Sequence, residues 1–119
     1  MMQPDEFVEA LRRSCRDSAV KDCVALLTKP PGRKPEPSLV RLSQWFNALA
    51  ESDRKFVTEA MHEAADATLF GVLCVIDGVR TIETEEEKSE FKLSAVRGTV
   101  EYQLSPSETY LHDLLRGEP

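Results

Sequence analysis

Apolar and polar residues near the start of the chain follow the period of an α-helix. The apolar positions of this stretch are Phe7, Val8, Leu11, Cys15, Ala19, Val20, Cys23, Val24 and Leu27. They share nearly one phase, which predicts either one helix over about residues 5–28 or two helices. In the second case the break falls at residues 16–18, where Ser18 can cap the second helix. The next stretch, residues 29–37, holds four of the seven prolines and is predicted to be a loop.

Two further helices follow the proline-rich loop. Ser38 can cap the first of them, whose apolar stripe is Leu39, Leu42, Phe46 and Leu49, with Trp45 beside it at the edge of the core. The second begins near Ser52 and Asp53, and its apolar face is Phe56, Val57, Ala60, Met61, Ala64 and Ala65. From Leu69 to Ile76 this helix is apolar on every side, which predicts burial on every side.

The period changes from helical to alternating after Gly78, which is predicted to cap the long helix. With Arg97-Gly98 as a two-residue turn, the apolar residues of two strands fall opposite each other on one face: Ala95 with Val100, Leu93 with Tyr102, and Phe91 with Leu104. Residues 80–84 can supply a third strand. A short helix is then expected after residues 105–107, with Tyr110, Leu111, Leu114 and Leu115 as its apolar side.

These elements predict an α+β protein with one domain over residues 1–119. Three to four N-terminal helices precede a small antiparallel sheet of about three strands and a short C-terminal helix. The helices are expected to pack on one face of the sheet.

The net charge of −6 is unevenly distributed along the chain. Residues 61–119 hold five Lys/Arg and twelve Asp/Glu, a net charge of −7. Such a half repels phosphate backbones and attracts basic proteins, so a protein partner is expected and nucleic acid is not. The acidic residues around one strand connection are candidates for this contact: Glu83, Glu85, Glu86, Glu87 and Glu90.

The cellular setting is also predicted from composition. The sequence shows neither a leader segment nor an apolar run long enough to span a bilayer. Its three cysteines form no C-x-x-C pair, which disfavours a disulfide framework or a zinc ribbon. We therefore expect a cytoplasmic protein that does not enter membranes and has no cofactor.

One helical segment resembles a metal-binding motif. His62, Glu63 and Asp66 have the spacing of H-E-x-x-H, with aspartate in place of the second histidine. Glu59 or His112 can complete such a ligand set. The alternative is an ordinary polar face of an amphipathic helix, which is the more frequent origin of such a cluster.

Two other patterns invite a structural and a binding interpretation. Asp77, Gly78 and Arg80 lie at the predicted end of the long helix, where an ion pair between Asp77 and Arg80 can fix the chain reversal. Residues 111–115 have the form L-x-x-L-L, which in some proteins docks as a helix in a groove. A terminal amphipathic helix more often covers its own protein.

Residues 69–83, together with residues 111–115, resemble a small family of bacterial proteins to which no activity, cofactor or catalytic residue is attached. The resemblance extends over about residues 45–119 and implies a bacterial, cytoplasmic α+β domain. Size, acidity and the order of helices before sheet are also similar to immunity proteins that neutralise toxins, by analogy of class.

Three hypotheses on function follow. The favoured one is a non-enzymatic protein-binding or inhibitory module, immunity-like in class, that uses the acidic C-terminal surface. The second is a small metal-dependent hydrolase that uses His62, Glu63 and Asp66. The third is a structural homodimer that associates through a sheet face or edge.

Overall fold

The computed structural model describes residues 2–117, which fold into α-helices and one β-hairpin. The helices are α1 (Pro4–Leu11), α2 (Ser18–Thr28), α3 (Pro37–Ala48), α4 (Glu51–Ile76) and α5 (Leu111–Arg116). The strands β1 (Leu93–Arg97) and β2 (Val100–Ser105) form a two-stranded antiparallel sheet. The α+β class is confirmed, with two strands instead of about three. None of the helices in the described part of the chain is long and apolar enough to cross a membrane.

Helices α1 and α2 are joined without a gap by a π-helical segment, Arg12–Asp17. Asp17 has helical backbone angles and makes no side-chain cap bond, so the helix does not break at this point and Ser18 is not its cap. In a π-helix the hydrogen bonds span five residues instead of four. The wider turn explains why the apolar residues before and after it are only nearly in phase.

The described residues form two compact units. The central unit is Ser14–Asp66, and the terminal unit is the rest, up to Arg13 and from Ala67 onward. Leu27 and Phe46 are the buried apolar side chains of the central unit. The Nδ2 atom of Asn47 donates hydrogen bonds to the backbone oxygens of Leu27 and Thr28, which satisfies carbonyl groups at the end of α2.

The core of the terminal unit is built around Val8, Leu73, Leu111 and Leu115. These side chains come from α1, α4 and α5, so the long helix is covered on the side that faces the two shorter ones. Val72 lies on another side of α4 and is 51% exposed. The expected burial of residues 69–76 on every side is therefore wrong, because the terminal unit does not cover every side of α4.

Helix α4 ends in a Schellman motif at Gly78. The N–H of Val79 donates to the oxygen of Cys74, and the N–H of Gly78 donates to the oxygen of Val75. Gly78 has a φ of +80°, a conformation that costs a glycine little. The helix thus ends at the place that the sequence predicts.

The turn of the hairpin is Gly98-Thr99, not the predicted Arg97-Gly98. Arg97 pairs with Val100 and Ala95 pairs with Tyr102, which shifts the predicted register by two residues. Side chains alternate with a period of two, so this shift keeps the apolar residues on one face. A bulge between Leu93 and Ser94 ends the regular pairing.

Residues 80–92 contain no strand, so the expected third strand is absent from this part of the structure. The physical reason lies in the loop itself, where the backbone groups of Glu83, Glu85 and Ser89 form hydrogen bonds with the side chains of Glu83 and Lys88 instead of with a neighbouring strand.

Candidate protein-binding site

The connection between α4 and β1 is ordered by the carboxylate of Glu83. Its Oε1 atom accepts a hydrogen bond from the backbone N–H of Ser89 at 2.6 Å, and its Oε2 atom accepts one from the Ser89 hydroxyl at 2.6 Å. The Nζ atom of Lys88 donates to the backbone oxygen of Glu83 at 2.8 Å and also to that of Glu85. The two ends of the acidic stretch are thus tied together across six residues.

These contacts have an electrostatic consequence for Glu83. Hydrogen bonds from the hydroxyl and then from the backbone N–H of Ser89 lower the pKa of its carboxyl group below the ordinary value of 4.5. Glu83 is therefore a charged residue whose carboxylate holds the loop together, and its place in the contact surface stays a prediction.

The other four acidic candidates have solvent-exposed side chains. Glu85, Glu86, Glu87 and Glu90 are exposed, and their carboxylates form no ion pair with any residue of the described range 2–117. Residues 79–91 hold five glutamates against two cations, Arg80 and Lys88, and this excess of negative charge creates a local potential that attracts cations and basic side chains.

Apolar side chains accompany these charges. Val79, Ile82 and Phe91 are exposed, and Ile82 is 67% exposed. Ile82 and Phe91 together line a depression of about 80 Å³, which also contacts Lys88 and Ser89. Interfaces commonly have an apolar centre and a polar rim. We call residues 79–91 the acidic loop.

The sequence does not indicate that Ile82 and Phe91 belong to this surface. Both lie in predicted strands, and Phe91 is predicted to lie on the apolar face of the hairpin. The sequence feature that could have indicated this is the number of charged residues on both sides of Ile82 and Phe91. A segment flanked by charged residues has few apolar neighbours with which to form a buried sheet.

At the end of α4, the buried carboxylate of Asp77 holds the start of α5. Its Oδ2 atom accepts hydrogen bonds from the backbone N–H and from Nδ1 of His112, at 2.9 and 2.6 Å. Its Oδ1 atom accepts one from the Ser105 hydroxyl at 3.3 Å. The helix therefore begins at Leu111, later than residues 105–107 predict, because a carboxylate distant in the sequence caps it.

Asp77, Ser105 and His112 are residue types of a nucleophilic triad, but their geometry differs from one. The serine hydroxyl donates to the aspartate instead of to the histidine, so the imidazole is not placed to activate it as in a triad. The imidazole of His112 packs between the rings of Tyr110 and Phe70, at centroid distances of 5.2 and 5.6 Å. This arrangement fits a structural role.

Arg80 does not pair with Asp77, contrary to the sequence prediction. Its side chain lies over Gly71 instead, where a Cβ atom added to the glycine would come within 2.5 Å of Nη1. Gly71 thus leaves room for this guanidinium to lie close to the backbone of α4. Both carboxylate oxygens of Asp77 already accept hydrogen bonds from His112 and Ser105, which explains why Asp77 forms no ion pair with Arg80.

Two of the three proposed metal ligands, His62 and Asp66, are engaged in an ion-pair network within the central unit. Arg16 donates from Nη1 to Asp66 at 2.9 Å and from Nε to Asp17 at 2.9 Å. The Nε2 atom of His62 lies 3.6 Å from the Oδ1 atom of Asp17, and Glu63 is exposed. Across residues 2–117 no group of three or more His, Cys, Asp and Glu side chains is close enough together to hold a metal ion. The hydrolase hypothesis stays a prediction.

This network also affects ionisation. The hydrogen bond from Arg16 lowers the pKa of the Asp17 carboxyl, so Asp17 is an anion that already has a cationic partner. Asp66 is likewise paired with Arg16. Of the other proposed ligands, His112 is bonded to Asp77.

The leucines of the L-x-x-L-L pattern are core residues. Leu111 and Leu115 are buried against Val8 and Leu73, and Leu114 packs against the same cluster. The side chain of Arg12 donates to the backbone oxygens of Leu114 and Leu115 at 2.6 Å, at the carboxyl end of α5. Helix α5 therefore completes its own unit.

Comparison with models of known protein families, with curated proteins and with solved structures finds no match for this chain. The resemblance of residues 69–83 and 111–115 to a bacterial family stays a prediction from the sequence.

Proposed function

We propose that this protein is a non-enzymatic module that binds a basic protein partner through the acidic loop. The observation that carries the proposal is the set of four exposed carboxylates, Glu85, Glu86, Glu87 and Glu90, on a loop with hydrogen-bonded ends. Carboxylates without internal partners favour association with Lys and Arg side chains, mainly by speeding encounter.

The apolar residues of the loop supply the complementary part of the contact. Ile82 and Phe91 offer apolar area that a partner can cover, while the glutamates form a charged rim. Burial of apolar area stabilises a complex and lowers its dissociation rate, whereas rim charges set its salt dependence.

The partner surface that fits the loop is basic with an apolar centre. An acidic module that covers the basic site of another protein can inhibit that protein, as the immunity-like hypothesis expects. A cytoplasmic location belongs to the same proposal. It is supported by three free cysteine thiols, of which Cys15 and Cys23 are exposed, because free thiols are the ordinary state in a reducing compartment.

The experiment compares two charge-matched variants as bait in a pull-down from bacterial cytoplasm, at low and high salt. The test variant combines Glu85→Gln, Glu86→Gln and Glu87→Gln. The control combines Glu51→Gln, Glu59→Gln and Glu63→Gln, three exposed residues of α4. Both variants remove the same charge, so only the position of the charge differs.

We expect the wild type and the α4 variant to capture the same protein at low salt, and the loop variant to capture it poorly. With the captured protein purified, the loop variant should show a slower association rate and nearly the same dissociation rate. Ile82→Ser should instead raise the dissociation rate. Equal capture by both charge variants, or capture that does not fall with salt, contradicts the proposal.

A further inference from the structure

The outer edge of β1 is unpaired in the structure. The sheet contains only β1 and β2, and within residues 2–117 the backbone of β1 has no other backbone partner. Ser94 and Val96 are exposed, with Val96 at 65%. A strand with free N–H and C=O groups is a template for pairing with another chain.

The register of the hairpin identifies the groups that are free. In a hairpin closed by a two-residue turn, alternate residue pairs exchange hydrogen bonds, starting with the pair next to the turn. That pair is Arg97 with Val100, and the next bonded pair is Ala95 with Tyr102. The N–H and C=O groups of Ser94 and Val96 therefore point away from β2.

The edge carries few of the features that prevent pairing. Native proteins blunt open edges with proline, charged side chains, bulges or covering segments. Strand β1 contains no proline, and its one charged residue, Arg97, lies at its end. The three central residues are Ser94, Ala95 and Val96, all small or β-branched. Its bulge lies at Leu93/Ser94, at the other end of the strand.

We propose that β1 pairs antiparallel with β1 of a second copy of this chain, about a two-fold axis at Ala95. This register joins the outward groups of Ser94 with those of Val96 in the second copy, so that each such pair exchanges two hydrogen bonds. Ala95 then lies opposite Ala95 in a non-bonded pair. Such pairs bring the Cα atoms closest together, and a small side chain fits there.

The side-chain pattern agrees with the same register. Arg97 lies opposite Leu93 of the second copy, and Lys92 lies opposite Gly98, so no like charges face each other. Antiparallel pairing also brings Arg97 to the end of the strand that is entered from Glu90 of the second copy. Residues that face the core in one hairpin stay on the same side of the sheet in the other.

A second copy fits this edge because the strand is complementary to itself in charge, size and hydrogen-bonding position. Pairing also enlarges a two-stranded ribbon, which alone has little independent stability. The contact involves β1 and does not depend on the partner of the acidic loop.

Sedimentation velocity of the full chain over a wide concentration range measures the association. We expect a reversible dimer, and Val96→Pro should raise its dissociation constant by about tenfold or more, since it removes an outward N–H from each copy. Proline at a position whose N–H faces solvent leaves the bonds to β2 intact. Val96→Lys alters only an exposed side chain, and a lysine at a sheet edge should also weaken the dimer. If the proline variant does not fold, the lysine variant tests whether this edge forms the interface.

Cross-linking tests the register directly. In a background with Cys15→Ser and Cys23→Ser, Ala95→Cys should form an inter-chain disulfide on mild oxidation, because facing residues lie within disulfide distance. Thr99→Cys, exposed in the turn, is the matched control and should cross-link much less.

A chain that stays monomeric at every concentration overturns the proposal. A dimer that tolerates both Val96 variants and does not cross-link preferentially through Ala95→Cys also overturns it, because such a dimer uses another surface.

Discussion

Asp77 and His112 are joined by two hydrogen bonds to one carboxylate oxygen, from the backbone N–H and from Nδ1 of the imidazole. A carboxylate only accepts hydrogen bonds, so Nδ1 of His112 carries a proton. The Asp77 side chain is 1% exposed, and its other oxygen accepts from Ser105. One buried residue thus connects the end of α4, the end of β2 and the start of α5.

The Asp77→Ala variant should be strongly destabilised. Removal of the Asp77 carboxylate leaves the hydrogen-bond donors of His112 and Ser105 without an acceptor in a buried setting, which costs about 1–3 kcal/mol. Urea denaturation followed by circular dichroism measures the loss. Glu108→Ala is the control, because Glu108 is an exposed acidic residue that forms no hydrogen bond or ion pair with His112 or Ser105, and we expect a change within about 0.5 kcal/mol. Equal effects of the two variants would show that the contacts of Asp77 contribute little.

Leu73→Ala should lower the free energy of unfolding by about 2–5 kcal/mol, as truncation of a packed leucine does. Leu73 is 1% exposed within the core of the terminal unit. Its neighbour Val72 supplies the comparison on the same helix, since Val72→Ala removes an exposed side chain and should change stability little. A denaturation midpoint that Leu73→Ala does not change would remove this leucine from the core.

Gly71→Ala should stabilise the protein by about 0.5–1 kcal/mol, the difference in helix propensity between the two residues. The added Cβ atom would meet only the end of the Arg80 side chain, which is exposed and can move away. Thermal unfolding measures the gain, and the double variant with Arg80→Ala is the control. Gly71→Ala could instead destabilise the wild-type background and not the Arg80→Ala background. That result would show that the guanidinium contact contributes more free energy than the higher helix propensity of alanine, which contradicts the prediction.

The stability of the acidic loop should depend on pH through the ionisation of the Glu83 carboxyl group. Because hydrogen bonds from Ser89 lower the pKa of Glu83, its stabilising effect is complete above pH 4.5 and is lost as the pH falls through the lowered value. An NMR titration of the Glu83 carboxyl carbon and the Ser89 amide should show a shared midpoint below 4.5. Ser89→Ala should move the midpoint of Glu83 upward, since it removes the hydroxyl donor. A midpoint of Glu83 at or above 4.5 would contradict this.

Hydrophobic periodicity was sufficient to predict the helices and the hairpin. The end of α4 at Gly78 follows from a local rule, because glycine conformation acts within a few residues. The predicted stripe of α3 is confirmed only in part, since Phe46 is buried but Leu42 is 53% exposed. The shared face of Leu93, Ala95 and Tyr102 was also predictable. Even the wrong register preserved it, since a shift of two residues changes the partner but not the face.

Contacts between distant residues were not predictable in the same way. Asp77 caps a helix 35 residues away, and no local pattern distinguishes this from an ion pair with nearby Arg80. Residues 80–84 have a sequence compatible with a strand, but a strand needs a neighbour, and Glu83 binds Ser89 instead. The acidic residues of the candidate site were found from charge alone, whereas the exposure of Ile82 depends on the fold of the loop.

The long-range contacts of α5 have a consequence for biosynthesis. Its leucines complete a core that begins with Val8, and Arg12 bonds to carbonyl groups about one hundred residues further along the chain. A growing polypeptide on the ribosome cannot close this core until residues 111–115 have emerged, so the apolar sides of α1 and α4 stay open during synthesis. Contacts so distant in sequence form slowly, so we expect apolar surface of the kind that chaperones bind to stay exposed until α5 docks.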